Sequence, residues 1–279
     1  MATADLHTHT IYSDGTNTPE ELIAMAKQAG LAALAITDHD NLDGLAEGAA
    51  AAQAAGLELI PGLEMSAAVK SVDVHLLGFF VDVRCAPFQQ LLAEQRARRV
   101  KRIEEMVTRV QRLGMAITQE EVREIAGKGA MGRPHVAMAL VRRGYVAKFE
   151  EAFDRYLSDG KPAYVEGSSL TPKTVIDAIR QANGVPVLAH PIYLRNDALI
   201  DAMCADGLAG LEVYHSSHKV QEVKRYERIA KRLGLLKSGG TDYHGSAKEG
   251  APIGAVTVPY ELVDALKQWQ QQHAVSSSR

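Results

Sequence analysis

Nine side chains able to bind a divalent cation stand where short apolar segments of this chain end. His7 and His9 sit at i and i+2 in His7-Thr8-His9, so on an extended segment both imidazoles project to one side and can share one ion. Asp14 follows in the next loop. His39 closes the second apolar segment within Ile36-Thr37-Asp38-His39-Asp40, Glu64 closes the third, and His75 lies on the fourth. His190 closes a later one in Ala189-His190-Pro191, and Asp242 and His244 share a face of Gly240-Thr241-Asp242-Tyr243-His244 if that stretch is extended. A single histidine in such a strand is usually a hydrogen-bonded structural residue. Six histidines and three carboxylates converging in one cavity would be costly unless cations neutralise them. Imidazole and carboxylate without thiolate suit Mn²⁺, Fe²⁺ or Zn²⁺ and leave the choice among the three open.

The segments that must position these groups read as alternating strands and helices, the pattern of βα units around a parallel sheet. Ala4 to His9 is the first strand; Thr18-Pro19-Glu20-Glu21 supplies an N-cap, a first-turn proline and acidic residues to a helix ending near Gln28, with Gly30 as the stop. Strand 31–37, helix 42–55, strand 57–64 and strand 72–80 follow. From Phe88 the period becomes helical to Gly114, through Val100, Ile103, Val107, Val110 and Leu113. Three more helices, 118–125, 134–142 and 148–157, break the βα rhythm, the first with a Thr118/Glu121 capping box. The rhythm resumes with helix 172–182, strand 185–190, helix 197–205, strand 208–214, helix 219–233, strand 235–239, strand 254–258 and helix 260–271. The expected architecture is α/β: a βα barrel from residues 1–95 and 167–279, with residues 96–166 as a helical insertion and 276–279 as a frayed tail.

A chain of 279 residues with 46% hydrophobic residues can bury a full core, and a net charge of −3 gives no global attraction to duplex DNA. Cys85 and Cys204 are far apart, which suggests neither a thiolate metal site nor a disulfide and fits a reducing, cytoplasmic setting. No signal peptide and no apolar run long enough to span a membrane is visible, so a membrane partner is not expected. The run Arg96, Arg98, Arg99, Lys101, Arg102, then Arg109 and Arg112, reads as the solvated face of a helix, diluted by Glu104 and Glu105, in preference to a polynucleotide platform. The Ala-rich stretch 46–55 reads as close helix packing.

In this order the metal-binding residues resemble the motifs of the polymerase and histidinol phosphatase (PHP) family of metal-dependent phosphoesterases, over nearly the whole chain. That resemblance implies a distorted seven-stranded (βα)7, TIM-like barrel related to the amidohydrolases. It also implies a ligand set: His7, His9, Glu64 and Asp242 for one metal, Glu64, His75 and His190 for a second, and Asp14, His39 and His244 for a third. Two or three divalent ions per chain are expected, Mn²⁺ foremost, with Fe²⁺ or Zn²⁺ as alternatives. Gly132-Arg133-Pro134-His135 and the segment from Asp159 to Val165 are similar to a bacterial subgroup with a helical insertion. This subgroup contains nucleoside 3',5'-bisphosphate phosphatases and enzymes with 5'-to-3' activity on short RNA.

Clustered cations would acidify a water and clamp the phosphoryl oxygens for in-line attack, with Glu64 bridging two of them. Glu64, Asp242 and His218 are the expected catalytic residues, with His215 or His218 free to protonate the leaving alkoxide. An exposed loop histidine is the plain alternative for His218. For the phosphate not cleaved, Arg133 offers a bidentate grip beside a helix N-terminus, Lys161 a point charge and Arg195 a reach from the rim; Tyr164 or Tyr193 offers a face to a base. The leading expectation is removal of the 3'-phosphate of a nucleoside 3',5'-bisphosphate. The alternatives are 5'-to-3' exonuclease action on short RNA, histidinol-phosphate hydrolysis, or a non-catalytic metal module; oligomeric state is left open.

Overall fold

The computed structural model describes residues 2–70, 72–127, 129–167, 169–194, 196–247 and 250–274. Local signals place the first elements: β1 (Thr3–Asp5), α1 (Pro19–Gln28), β2 (Ala33–Ile36), α2 (Leu45–Ala55), β3 (Glu58–Val69) and β4 (Val72–Phe79). Thr18 caps α1 in a reciprocal capping box with Glu21, and Gly56, at φ 62°, ends α2 in a left-handed conformation open to glycine. A helical block follows: α3 (Ala86–Arg112), α4 (Gln119–Ala126), α5 (Arg133–Arg142) and α6 (Phe149–Ala152), the last continuing as a π turn to Leu157. Then come α7 (Pro172–Gln181), β5 (Val185–Leu188), α8 (Ala198–Ala205), β6 (Gly210–His215), α9 (Val220–Leu233), β7 (Leu236–Gly240), β8 (Val258–Pro259) and α10 (Tyr260–His273).

The strands form one sheet in the order β7-β6-β5-β4-β3-β2-β1-β8, which curls into a nearly closed barrel. Its seam is made by the residues after β1: Leu6 N–H donates to Gly239 O at 3.1 Å and His9 N–H to Tyr243 O at 2.9 Å, while Asp242 N–H donates to His7 O at 2.9 Å. The two residues of β8 pair antiparallel with the start of β1, at Thr3↔Pro259 and Ala4↔Val258. The parallel expectation therefore fails at β8, and it fails again inside the sheet. β4 is antiparallel to both β3 and β5. It follows β3 through a tight turn at Lys70, and a connection that short cannot carry the crossover that parallel pairing needs. Because β4 runs backwards, His75 lies in its first half, yet at the same rim as the expected metal-binding residues that follow forward-running strands.

Two faces of the barrel wall are packed. Ala4, Leu6, Ala35, Ile60, Leu77, Phe79 and Val187 fill one apolar cluster with Val263 and Leu266 of α10, and the outer helices pack against the other face. Gly48 of α2 lies where a Cβ would meet Ile36 Cδ1 at 2.6 Å, so the Ala-rich helix does approach the sheet closely. The helical block has an apolar cluster of its own, including Ile103, Met106, Val107, Val110, Ile117, Val122, Val136, Leu140 and Leu157. Helix α3 belongs to both bodies: Phe88 and Leu92 pack on the barrel, and Ile103 onward on the helices. Its 27 residues span about 40 Å, and the expected boundary at residue 96 falls inside it. Among the described residues no helix is long and apolar enough to cross a membrane. The expected frayed tail at 276–279 lies outside the described residues.

Candidate metal centre

Short extended bridges bring the strand ends together. Thr8 pairs with Tyr243 and His39 with Glu64, so the first, second, third and seventh strands deliver their polar residues to one rim. Three non-glycine residues there hold a positive φ: Asp40 at 49°, His190 at 26° and Asp242 at 54°. Such a conformation costs on the order of 1–3 kcal/mol and persists only where the surroundings fix it. Here each backbone N–H is held: Asp40 by Glu64 O at 2.9 Å, His190 by Glu212 Oε2 at 2.6 Å, and Asp242 by His7 O at 2.9 Å.

The nine expected residues meet in one place. His7 Nε2 lies 3.3 Å from Glu64 Oε2 and 3.4 Å from Asp242 Oδ1; His9 Nε2 lies 3.2 and 3.3 Å from the same two oxygens. The other Glu64 oxygen, Oε1, faces His75 Nδ1 at 2.9 Å and His190 Nε2 at 2.8 Å. Asp14 draws the remaining pair: Oδ1 is 3.4 Å from His244 Nε2 and Oδ2 is 3.8 Å from His39 Nε2. His39 is also 3.4 Å from Glu64 through Nδ1, and so links the Asp14 and Glu64 groups.

This donor set fits divalent cations. His9 Nε2, Asp14 Oδ1 and His39 Nδ1 are buried without a hydrogen-bond partner, a condition that costs on the order of 1–3 kcal/mol per group when nothing else satisfies it. The donors of His7, His9, Glu64 and Asp242 all lie within 4.8 Å of one another, as do those of His9, Asp14, His39 and His244, and those of His39, Glu64 and His75. Bonds of about 2.0–2.2 Å in a tetrahedron would put donors roughly 3.3–3.6 Å apart. The 3.2–3.4 Å approaches of His7 and His9 to the two carboxylates are close to that. Burial opposes ionisation of Glu64, but His39, His75 and His7 around it, with the His190 hydrogen bond, hold its carboxyl well below the usual carboxylate range. Asp14 is likewise buried and held well below that range by His244 and His39. Both carboxylates are thus kept as anionic donors.

Two further residues border the cluster. Glu212, fully buried on β6, accepts from His7 Nδ1 at 3.0 Å and from His190 N–H at 2.6 Å. Sequence reasoning misses it, although a lone carboxylate inside the apolar strand 210–215 is a signal. His215 is buried with Nε2 3.5 Å from Asp242 Oδ2. His218 is half-buried rather than an exposed loop residue: Nδ1 donates to Val213 O at 2.9 Å, its ring packs against Tyr226, and Nε2 is buried without a partner. Burial holds its pKa below the ordinary value.

The helical block faces the other flank of the cluster. Here the basic run is a solvated face only in part: Arg98, Lys101 and Arg112 are exposed, but other members are not. Arg99 and Arg102 are only 14% and 16% exposed. Arg99 Nη2 donates to Asp40 Oδ2 at 2.7 Å and Ser66 Oγ at 2.9 Å, Arg96 to Asp40 O, and Arg102 Nε to Val165 O at 2.9 Å. Arg96, Arg99 and Arg102 are turned onto the β2 rim and the chain returning from the insertion, contacts that a helical period cannot reveal. Arg133 Nη2 meets Asp73 Oδ2 at 2.8 Å, and the Arg102 and Arg133 guanidiniums both lie 5.9 Å from the Tyr164 ring. Burial and the neighbouring Arg133 push Arg102 down to about 10. Lys161 is exposed in a turn closed by its N–H to Ser158 O. Tyr193 is half exposed, its ring 5.2 Å from His190. Arg195, expected at the rim, lies outside the described residues.

Comparison with known proteins gives a consistent picture. The family model described as the PHP domain matches residues 5–158. A 3',5'-nucleoside bisphosphate phosphatase of Chromobacterium violaceum is 34% identical over 260 residues, covering 91% of each chain. A 5'-3' exoribonuclease of Haemophilus influenzae is 32% identical over 245 residues, covering 86% of this chain and 89% of its own. A crystal structure from Bifidobacterium adolescentis, assigned to the metal-dependent phosphoesterases, superposes with a TM-score of 0.89 at 35% identity, over 98% of this chain and 97% of that one.

Proposed function

This chain belongs to the PHP domain family of metal-dependent phosphoesterases, and we propose that within it the protein removes the 3'-phosphate of nucleoside 3',5'-bisphosphates, leaving 5'-nucleotides. The observation that carries the substrate reading is the placement of two guanidiniums on a strand that also bears a ligand. Asp73, which Arg133 grips at 2.8 Å and Arg102 approaches at 3.9 Å, is two residues from His75 on β4, about 7 Å along the strand. One carboxylate against two guanidiniums leaves a surplus positive charge in a half-buried place beside the cluster. A second phosphate on the same substrate molecule is the anion this surplus suits.

His7, His9, Glu64 and Asp242 would hold one divalent cation, Glu64, His75 and His190 a second, and Asp14, His39 and His244 a third, Mn²⁺ foremost. Bound there, such ions supply Lewis acidity to the phosphoryl group and lower the pKa of water toward neutrality. Glu64 spreads its two oxygens over both sides of the cluster, and Asp242 presents one oxygen to His7 and His9. Arg133 and Arg102 orient the uncleaved phosphate, assisted by Lys161; Tyr164 closes that flank. Residues 96–166 act as the substrate-capping insertion over the barrel. On this reading His218, whose ring lies 5.3 Å from that of His215, transfers a proton to the leaving oxygen. With Nδ1–H committed to Val213 O, only Nε2 is available for this, and it must be protonated first.

A second reading, 5'-to-3' exonuclease action on short RNA, has its own support in the 32% identity to the exoribonuclease. Both reactions attack beside a 5'-phosphorylated end, so the same arginines serve either. The deciding experiment is phosphate release by Mn²⁺-loaded protein from adenosine 3',5'-bisphosphate, with AMP, 3'-AMP, histidinol phosphate and a short 5'-phosphorylated RNA alongside. Preference for the bisphosphate is the expected result. Preference for RNA transfers the arginine flank to strand binding, and silence on every substrate points to a non-catalytic metal module.

A further inference from the structure

We propose that Glu212, outside the nine residues assigned to metal, is a positioning residue that sets the tautomer of His7 and the backbone beneath His190 with a single carboxylate. Its two oxygens do different work. Oε1 faces His7 Nδ1 at 3.0 Å, and an ionised carboxylate can only accept, so the ring hydrogen must reside on Nδ1. In the neutral ring, the form that can ligate a cation, that leaves the lone pair on Nε2, the nitrogen 3.3 and 3.4 Å from Glu64 Oε2 and Asp242 Oδ1. With the ring neutral, three lone-pair donors facing one another at that spacing repel unless a cation, or a proton on Nε2, lies among them. Oε2 accepts the His190 N–H at 2.6 Å, which holds that residue at φ 26° and directs its ring to Glu64 Oε1 at 2.8 Å.

The consequence is a mechanical link between two metal subsites. His7 and His190 come from opposite parts of the chain and are assigned to different cations, yet both are seated on one side chain with no exposure to solvent. Glutamine cannot replace it. The amide has one acceptor oxygen, so it can satisfy His7 Nδ1–H or His190 N–H, and its NH₂ then confronts the other donor. If the NH₂ turns to His7, the ring hydrogen moves to Nε2 and the ligand atom is lost.

The proposal rests on the metal-dependent reading, and its test is metal binding, which is independent of which phosphoester is cleaved. Calorimetric Mn²⁺ titration of chelator-stripped wild-type protein and Glu212→Gln is the experiment. The expected result is a dissociation constant raised about 10–100-fold, the usual effect of losing such an outer partner, with the same number of ions at saturation. Turnover at limiting Mn²⁺ falls, returns at saturating Mn²⁺, and leaves KM for the phosphoester unchanged. Glu212→Asp, which keeps both acceptors on a shorter stem, falls between the two and serves if Glu212→Gln does not fold. Wild-type Mn²⁺ affinity in a folded Glu212→Gln overturns the proposal. So does loss of one ion per chain with the others unaffected, since Glu212 would then be a ligand itself with His7 and His215. A check without variants is the ¹⁵N imidazole spectrum of Zn²⁺-loaded wild-type protein: the His7 hydrogen on Nδ1 is required, and on Nε2 it refutes the assignment.

Discussion

The barrel rim and the helical block solve different problems with the same kind of side chain. At the rim, charged and polar groups come from seven separate places in the chain and are buried together, each fixed by backbone bridges and by the others. In the block, the apolar side makes a self-contained core, and the arginines of α3 and α5 reach outward to carboxylates on the barrel, Arg99 to Asp40 and Arg133 to Asp73. The rim is over-determined and tolerates little change. The block is joined in series through a few ion pairs, so its contribution can be altered one contact at a time. On the proposed reading chemistry resides on strand ends and discrimination on an attached element, an arrangement common to barrel enzymes whose loops and insertions vary.

The predictions separate the two regions. Glu64→Ala, which removes the carboxylate shared by five imidazoles, is expected to lower turnover by about 10³-fold or more, the several kcal/mol that metal-supplied charge stabilisation is worth. Steady-state assays beside a circular-dichroism check of the fold would show it. Chelation should silence the wild type to the same floor, and Mn²⁺ should restore it; activity that survives chelation would break the assignment of the rim to metal chemistry. His218→Asn should cost about 10²-fold in kcat with little change in KM, the range for a lost proton-transfer group. An unchanged kcat returns His218 to a packing role against Tyr226. Arg133→Ala should instead raise KM for the bisphosphate about 10–100-fold, the loss of a charge-assisted contact worth 1.5–3 kcal/mol. Hydrolysis of 3'-AMP, which lacks the second phosphate, should be nearly unaffected, and equal losses on both substrates would dissolve the distinction between rim and block. Smallest in activity is Met106→Ala in the core of the block. A buried truncation of this kind costs about 2–5 kcal/mol of stability, seen in thermal unfolding, while Mn²⁺ affinity at the rim stays as in wild type.

Much of this architecture is legible in the order of the amino acids. The pair His7/His9 is local, because a two-residue period on an extended segment puts both side chains on one face, whereas Asp242, at φ 54°, is not extended and its pairing with His244 is not read from that period. Helix starts are equally local: Thr18 with Glu21 and Thr118 with Glu121 form the capping boxes that their three-residue spacing implies. The helical period correctly marks Ile103, Val107 and Val110 as the buried side of α3, but its last member, Leu113, lies just past the helix and is exposed.

That same period cannot say what the polar side of α3 meets. The run of charges from Arg96 to Arg102 is read as facing solvent, yet Arg99, one turn before Ile103 and on the same side of the helix, gives its charge to Asp40, 59 residues away. The reversal of β4 is hidden for a related reason: an alternating apolar segment pairs in either direction, and the shortness of the β3–β4 turn decides. Glu212 is the furthest case, since its partner His7 is 205 residues distant and nothing in its own strand indicates a hydrogen bond to an imidazole.

The sequence by itself determined the donor types, their places at strand ends and the elements that carry them, because each follows from contacts within a few residues. Only the tertiary structure decided which oxygen of Glu64 serves which imidazoles, which arginines are held by carboxylates, and how one buried glutamate seats two ligands. Those outcomes depend on closing the barrel between the first and seventh strands, which brings residues from both ends of the chain within hydrogen-bond reach.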